Sequence, residues 1–138
     1  MSDPAFTPRF TPSPEGLAAE FYQHLARGEL RLQRCACGVW RHPPRVLCGR
    51  CGSERSEWTA VSGRGAVYTW TVTHQPLFPS FADDVPYAVV VVELDEGPRI
   101  VTAVRGMEPS ALRIGLPVEL RITRISDTVG LHWFVPRA

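Results

Sequence analysis

The chain contains no lysine; all fifteen of its basic residues are arginines. No side-chain amine is therefore available as a Schiff-base nucleophile or general base. An excess of one charge is missing too. Fourteen carboxylates leave a formal net charge of +1 over 138 residues, so no global field draws the protein to nucleic acid or to an anionic membrane. Long apolar runs are also absent. The longest, residues 87–92, has the length of a strand and falls far short of the twenty or so residues of a membrane span. No secretory signal precedes the cysteines, so a reducing, cytoplasmic setting is expected and disulfides are not. The apolar fraction of 44% suffices for a core, in one domain or one domain with a small appendage.

What the chain does have is concentrated in residues 30–53, LRLQRCACGVWRHPPRVLCGRCGS. All four cysteines lie here, as C-x-C (Cys35, Cys37) before Gly38 and C-x-x-C (Cys48, Cys51) before Gly52, with a ten-residue spacer between the pairs. Two close pairs of thiols, each in a tight turn, are what a zinc ribbon needs. Glycine after the second cysteine permits the positive φ of such a turn. The first pair is one residue short. Zinc–sulfur bonds of roughly 2.3 Å require sulfurs about 3.8 Å apart, which side chains at i and i+2 reach only where the backbone bends. Zinc on Cys35, Cys37, Cys48 and Cys51 is the expectation, with His42 the nearest substitute ligand. The bland alternative is a ribbon that holds together by packing without metal.

In chain order, residues 1–12 carry Pro, Thr, Phe6 and Phe10 without periodicity and read as an extended arm, loose or laid on another surface. Ser13 and Pro14 look like an N-cap and first helical position. Leu17, Phe21 and Leu25 recur at helical spacing and Gly28 suits the C′ position, so a helix is predicted over 14–27. Its apolar stripe must be buried on its own domain or on a neighbouring chain. His24 reads as a surface residue. Leu30 and Leu32 alternate with polar residues in a strand that leads into the first cysteine turn.

After the ribbon the sequence is β throughout. A strand begins at Trp58. Gly63-Arg64-Gly65 reads as a bend or bulge in a curved sheet, too short for a phosphate loop. Strands follow over 66–74, 86–95, 99–104, 118–125 and 130–135, with a short helical turn within 107–114. Five strands with a helix between the third and fourth is the layout of an OB barrel. The predicted fold is thus mainly β: an N-terminal arm and helix (1–29), a zinc ribbon (30–56) and a five-stranded OB domain (57–138). The insertion at 75–85 carries Leu77, Phe78, Pro79 and Phe81, which need an apolar surface to lie against. Asp83 and Asp84 beside it read as solvated.

The ribbon with "PPR" between its cysteine pairs, then "CGS", "GAVYTWTVTHQP", "PYAVVVVELDEGPRI" and "IGLPVEL", resembles the acyl-CoA-associated family catalogued as domain of unknown function thirty-five, a rubredoxin-like zinc ribbon followed by an OB fold. The likeness runs over residues 14–136; the shortened first cysteine turn departs from it. The resemblance implies a non-catalytic, free-standing partner of a thiolase-like, lipid-transfer-type enzyme, an aldolase or acyltransferase of steroid or lipid side chains. It implies that ribbon and helix dock on the enzyme and that the OB part contacts the coenzyme A of an acyl-CoA. Arginine forks suit those phosphates, and Arg41, Arg45 and Arg64 are the candidates. Phe21, Leu25, Phe78 and Phe81 are the candidate partner contacts.

Two other readings compete. Ribbons and OB barrels also bind nucleic acid, against which stand the near-zero charge and the lack of basic runs. A hydrolytic zinc enzyme needs an open coordination position, whereas four cysteines close the shell. His24, His42, His74 and His132 are scattered, with His74 the best lone catalytic candidate.

Overall fold

The computed structural model describes residues 10–138. Residues 1–9, with Phe6 of the expected arm, lie outside the described residues. Helix α1 spans Gly16–Ala26 and begins later than predicted: Glu15 is the N-cap, and neither it nor Ser13 supplies a side-chain cap. Its end follows the sequence signal. Gly28, at φ +84°, donates to Leu25 O and Glu29 donates to His24 O, the paired bonds of a Schellman stop.

Three short strands form the ribbon: β1 (Arg31–Cys35), β2 (Trp40–Arg41) and β3 (Ser56–Ala60). β1 is the centre, with β2 and β3 antiparallel on either side. β3 therefore straddles the boundary drawn after residue 56. It pairs with β1 from Cys35↔Ser56 to Arg31↔Ala60 before the chain turns into the second sheet.

That sheet holds β4 (Arg64–Thr73), β5 (Tyr87–Leu94), β6 (Arg99–Thr102), β7 (Pro117–Arg124) and β8 (Gly130–Pro136), in the order β6-β5-β4-β7-β8. It curls until its edges meet. Val104 and Phe134 form a parallel bridge, Arg105 N–H donates to Phe134 O and Phe134 N–H to Ala103 O, both at 2.8 Å. This is the expected OB-like closure, with short 3₁₀ turns at Pro79–Phe81 and Pro109–Ala111. The sharpest curvature has two sources. The β4–β5 register shifts between Val67 and Thr69, two residues beyond the Gly63–Gly65 bend that the sequence suggested. At Gly65 itself β5 comes so close that a Cβ would sit 2.4 Å from Glu93 O.

The interior is filled by Val67, Val90, Val92, Leu94, Ile100, Val118 and Phe134. Although β5 is apolar in a continuous run, only alternate residues face inward; Val89 of β5 is exposed, as is Val101 of β6. The helix answers the question its stripe posed. Phe21 and Leu25 are 4% and 0% exposed and share one cluster with Leu30 and Leu32 of the ribbon and the barrel residues. Their assignment as partner contacts is corrected: their surface is spent on the chain's own core. Gly130 makes that seat possible, since a Cβ there would lie 2.5–2.7 Å from the backbone of Leu25 and Ala26.

Candidate metal centre

Each cysteine turn is shaped by its own backbone. At the end of β1, Cys35 N–H donates to Val39 O at 2.8 Å and Gly38 N–H returns to Cys35 O at 2.9 Å, with Gly38 at φ +89°. This tight reversal is the bend that C-x-C spacing demands. In the second turn Cys48 N–H donates to Ser53 O and Gly52 N–H to Cys48 O, with Gly52 at φ +72°. The four sulfurs converge: Cys35–Cys51 is 3.5 Å, Cys37–Cys48 is 3.8 Å, and all four lie within 4.8 Å of one another. Those separations, on four soft thiolates, fit a tetrahedral zinc ion. Cys35 and Cys48 are buried, Cys37 and Cys51 exposed.

The turns also favour thiolate. The Cys51 and Arg50 amides lower the Cys48 pKa to about 6. The Cys37 amide, then the Arg41 guanidinium, lower that of Cys35. Cys51 moves the other way, to about 11: the Ser53 amide would lower it, but Cys35 beside it and burial hold its proton. Metal binding therefore has to displace the remaining protons.

Two buried polar side chains hold the second turn in place. Arg41 is 3% exposed, and its guanidinium donates to Val46 O (2.9 Å), Ser53 O (2.8 Å), Arg55 O (2.9 Å) and Arg45 O (3.4 Å). Gln33, its register partner across β1–β2, accepts from Arg45 N–H at 2.8 Å and donates to Arg45 O and Ser56 Oγ. Sequence reasoning missed both roles. The one available signal was a polar residue on the side of β1 that also carries Cys35.

The expectation that Arg41 faces coenzyme A is accordingly corrected, because its hydrogen bonds go to internal carbonyls. Arg45 and Arg64 are exposed, the first in the spacer between the cysteine pairs and the second opening β4. Phe78 is exposed and Phe81 half-buried; the two rings meet Phe10 at centroid distances of 5.8 and 5.6 Å, beside exposed Leu77. This makes one apolar patch from the insertion and the end of the arm.

His42 is not a substitute ligand. The metal-capable cluster among the described residues holds cysteines alone, and the His42 ring packs on Phe21 at 5.3 Å. His132 of β8 meets the same Phe21 ring at 5.9 Å and bonds Thr102 Oγ1 through Nδ1 at 2.9 Å. Burial brings both imidazoles to a pKa of about 4, helped by Arg45 at His42 and by His42 at His132. Nδ1 of His42 is shut off from water without a partner. The unfolded chain takes up protons near pH 6.5 that the folded junction refuses until about pH 4. Stability is therefore expected to fall as pH drops from 6.5 to 5, by at most about 2 kcal/mol per ring. Urea midpoints across that range check it, with H132F flattening the profile; a flat wild-type profile would contradict it.

The domain family described as the ChsH2 rubredoxin-like zinc ribbon matches residues 23–57, and that described as the ChsH2 C-terminal OB-fold domain matches residues 58–123. Among curated proteins, a probable enoyl-CoA hydratase alpha subunit of Thermomonospora curvata is 41% identical over 119 residues, 86% of this chain and 37% of that protein. A 3-oxo-4,17-pregnadiene-20-carboxyl-CoA hydratase alpha subunit of Mycobacterium tuberculosis is 37% identical over 122 residues, 88% of this chain and 39% of that protein. The chain thus spans under two fifths of these two relatives. A DUF35 domain-containing scaffold protein of Pyrococcus furiosus is 35% identical over 112 residues, 79% of this chain and 80% of that one. In a solved Ltp2-ChsH2(DUF35) aldolase, one chain superposes with a TM-score of 0.80 at 36% identity, covering 91% of this chain and 98% of that chain.

Proposed function

The chain belongs to the DUF35 family of ChsH2-type zinc-ribbon and OB-fold proteins, and on that premise we propose that it is a non-catalytic accessory subunit of an acyl-CoA enzyme. The partner is a thiolase-like, lipid-transfer-type subunit, and the complex is an aldolase or acyltransferase acting on steroid or lipid side chains. The observation that carries this reading is the sealed sulfur shell. Four cysteines converge on one point, so the zinc they hold has no open position at which to activate water. The metal braces a surface and does no chemistry of its own. Three histidines pack on aromatic rings: the partly exposed His24 on Trp58, and His42 and His132 on Phe21.

The patch of Phe10, Leu77, Phe78 and Phe81 is the docking element for the partner, a role consistent with Phe10, Leu77 and Phe78 being left exposed side by side. Arg45 and Arg64 remain the candidates for coenzyme A phosphates. The relatives named as CoA-thioester hydratase alpha subunits support an acyl-CoA setting, and the Ltp2-ChsH2(DUF35) aldolase supports assembly with a partner subunit.

Expressed alone, the chain is expected to bind zinc and turn over no acyl-CoA. Co-expressed with a thiolase-like candidate, it should co-purify and raise that enzyme's soluble, active fraction; L77S/F78S should lose the association while keeping its own fold. Turnover by the isolated chain would refute the proposal.

A further inference from the structure

Arg41 poses an electrostatic problem that its hydrogen bonds do not solve. It is a permanently charged side chain, buried to 3% exposure, and among the described residues no carboxylate pairs with it. Carbonyl oxygens receive its terminal nitrogens, but Nε has no nitrogen or oxygen partner. A buried cation without a counter-ion is costly. The register shows what faces it. Gln33 pairs with Arg41 across β1–β2, and Cys35, two residues along β1, lies on the same side of that strand. The four carbonyls it grips flank Cys48 and Cys51 on both sides. The guanidinium is thus set against the sulfur cluster, with Cys35 and Cys48 as its acidic neighbours.

The complementary problem belongs to the metal. Four thiolates around a divalent ion sum to a dianion, half of it buried here in Cys35 and Cys48. We propose that Arg41 is the built-in counter-cation of this centre: it is a positioning residue that clamps the second cysteine turn and neutralises part of the charge of the loaded site. The metal-loaded dianion and the buried guanidinium each make the other's burial tolerable. The inference rests on the ribbon holding a metal, a premise that metal content tests separately.

Iron gives the sharpest readout, because ferric tetrathiolate is a monoanion and ferrous tetrathiolate a dianion. A nearby cation stabilises the ferrous form and raises the potential. The full-length chain and its variants are loaded with cobalt(II) for affinity, by chelator competition, and with iron for voltammetry. Arg41→Met is expected to weaken cobalt binding at least about tenfold and to move the iron potential to more negative values. Arg41→Lys keeps the charge and is expected to hold the potential near wild type although it grips fewer carbonyls. Gln33→Leu removes the other half of the clamp and leaves the cation, so it should lower stability without moving the potential. An R41M potential equal to wild type overturns the proposal, as does a shift in R41K or Q33L as large as that of R41M. Where R41M does not fold, R41K and Q33L decide: both at the wild-type potential sustain the charge role, and a shift in either overturns it. A wild-type chain that takes up no metal removes the premise and the proposal with it.

Discussion

Alanine at Gly130 is expected to unseat helix α1 and to destabilise the chain by more than about 3 kcal/mol. The reason is space. Gly130 does not adopt positive φ, so alanine meets no conformational penalty, and the whole effect comes from what its Cβ would strike. The nearest atoms are Leu25 C at 2.5 Å, Leu25 O at 2.6 Å and Ala26 N at 2.7 Å. These are backbone atoms of a helix turn whose Leu25 side chain is fully buried, so no rotamer change relieves the clash. Either the helix rises, opening a void around Phe21 and Leu25, or β8 shifts and strains the pairing of Phe134 that closes the barrel. Gly115, at φ +85° with open space around it, is the contrasting case, where alanine meets strain but no collision. A thermal melt followed by near-ultraviolet circular dichroism measures the difference; a G130A midpoint within a degree or two of wild type would show that the close approach is not maintained in solution.

Removal of the metal is expected to have the other large effect, confined to the ribbon tip. Structural zinc in small ribbons binds with apparent free energies of about 10–16 kcal/mol, most of it spent on folding the site. Here β1 and β3 are anchored independently, because Leu32 of β1 belongs to the cluster that fills the barrel and Trp58 of β3 packs against it. The residues that depend on the ion are the two turns around Cys35–Cys37 and Cys48–Cys51. C48S should lose the stoichiometric metal, and hydrogen exchange should show loss of protection over residues 35–55 while β4 to β8 keep theirs. Loss of protection throughout the barrel would mean that the ion holds the whole chain together, and unchanged protection at the tip would mean that packing and Arg41 suffice without it.

The quartet of cysteines and the five barrel strands were legible because their signals are local. Spacing of two or three residues places thiols in one turn, and alternation over 66–74 or 118–125 marks a strand whatever lies beside it. The short first turn was legible as a problem, and the Cys35–Val39 and Gly38–Cys35 bonds are its solution. What could not be read depends on partners distant in sequence. An arginine between two cysteine pairs looks the same whether it points to solvent or to four carbonyls; the pairing of Gln33 with Arg41 decides it. The run YAVVVVEL reads as a continuously apolar strand, yet Val89 faces outward, as does Val101 of the neighbouring β6, because only one side of the curled sheet is filled. The helix showed that it had a stripe to bury but not where, since Gly130, the residue that admits it, lies more than a hundred positions away.

One cluster of side chains runs unbroken from Leu32 of the ribbon through Phe21 and Leu25 to Phe134 of the barrel. The two family domains are therefore not interchangeable cassettes. A chimera that joins the ribbon of one relative to the barrel of another inherits a mismatched seam unless the helix and its glycine seat travel with the barrel and the Leu30–Leu32 face is matched to them. Recombination within this family should accordingly favour crossovers that keep the first thirty or so residues and the last strand from the same parent.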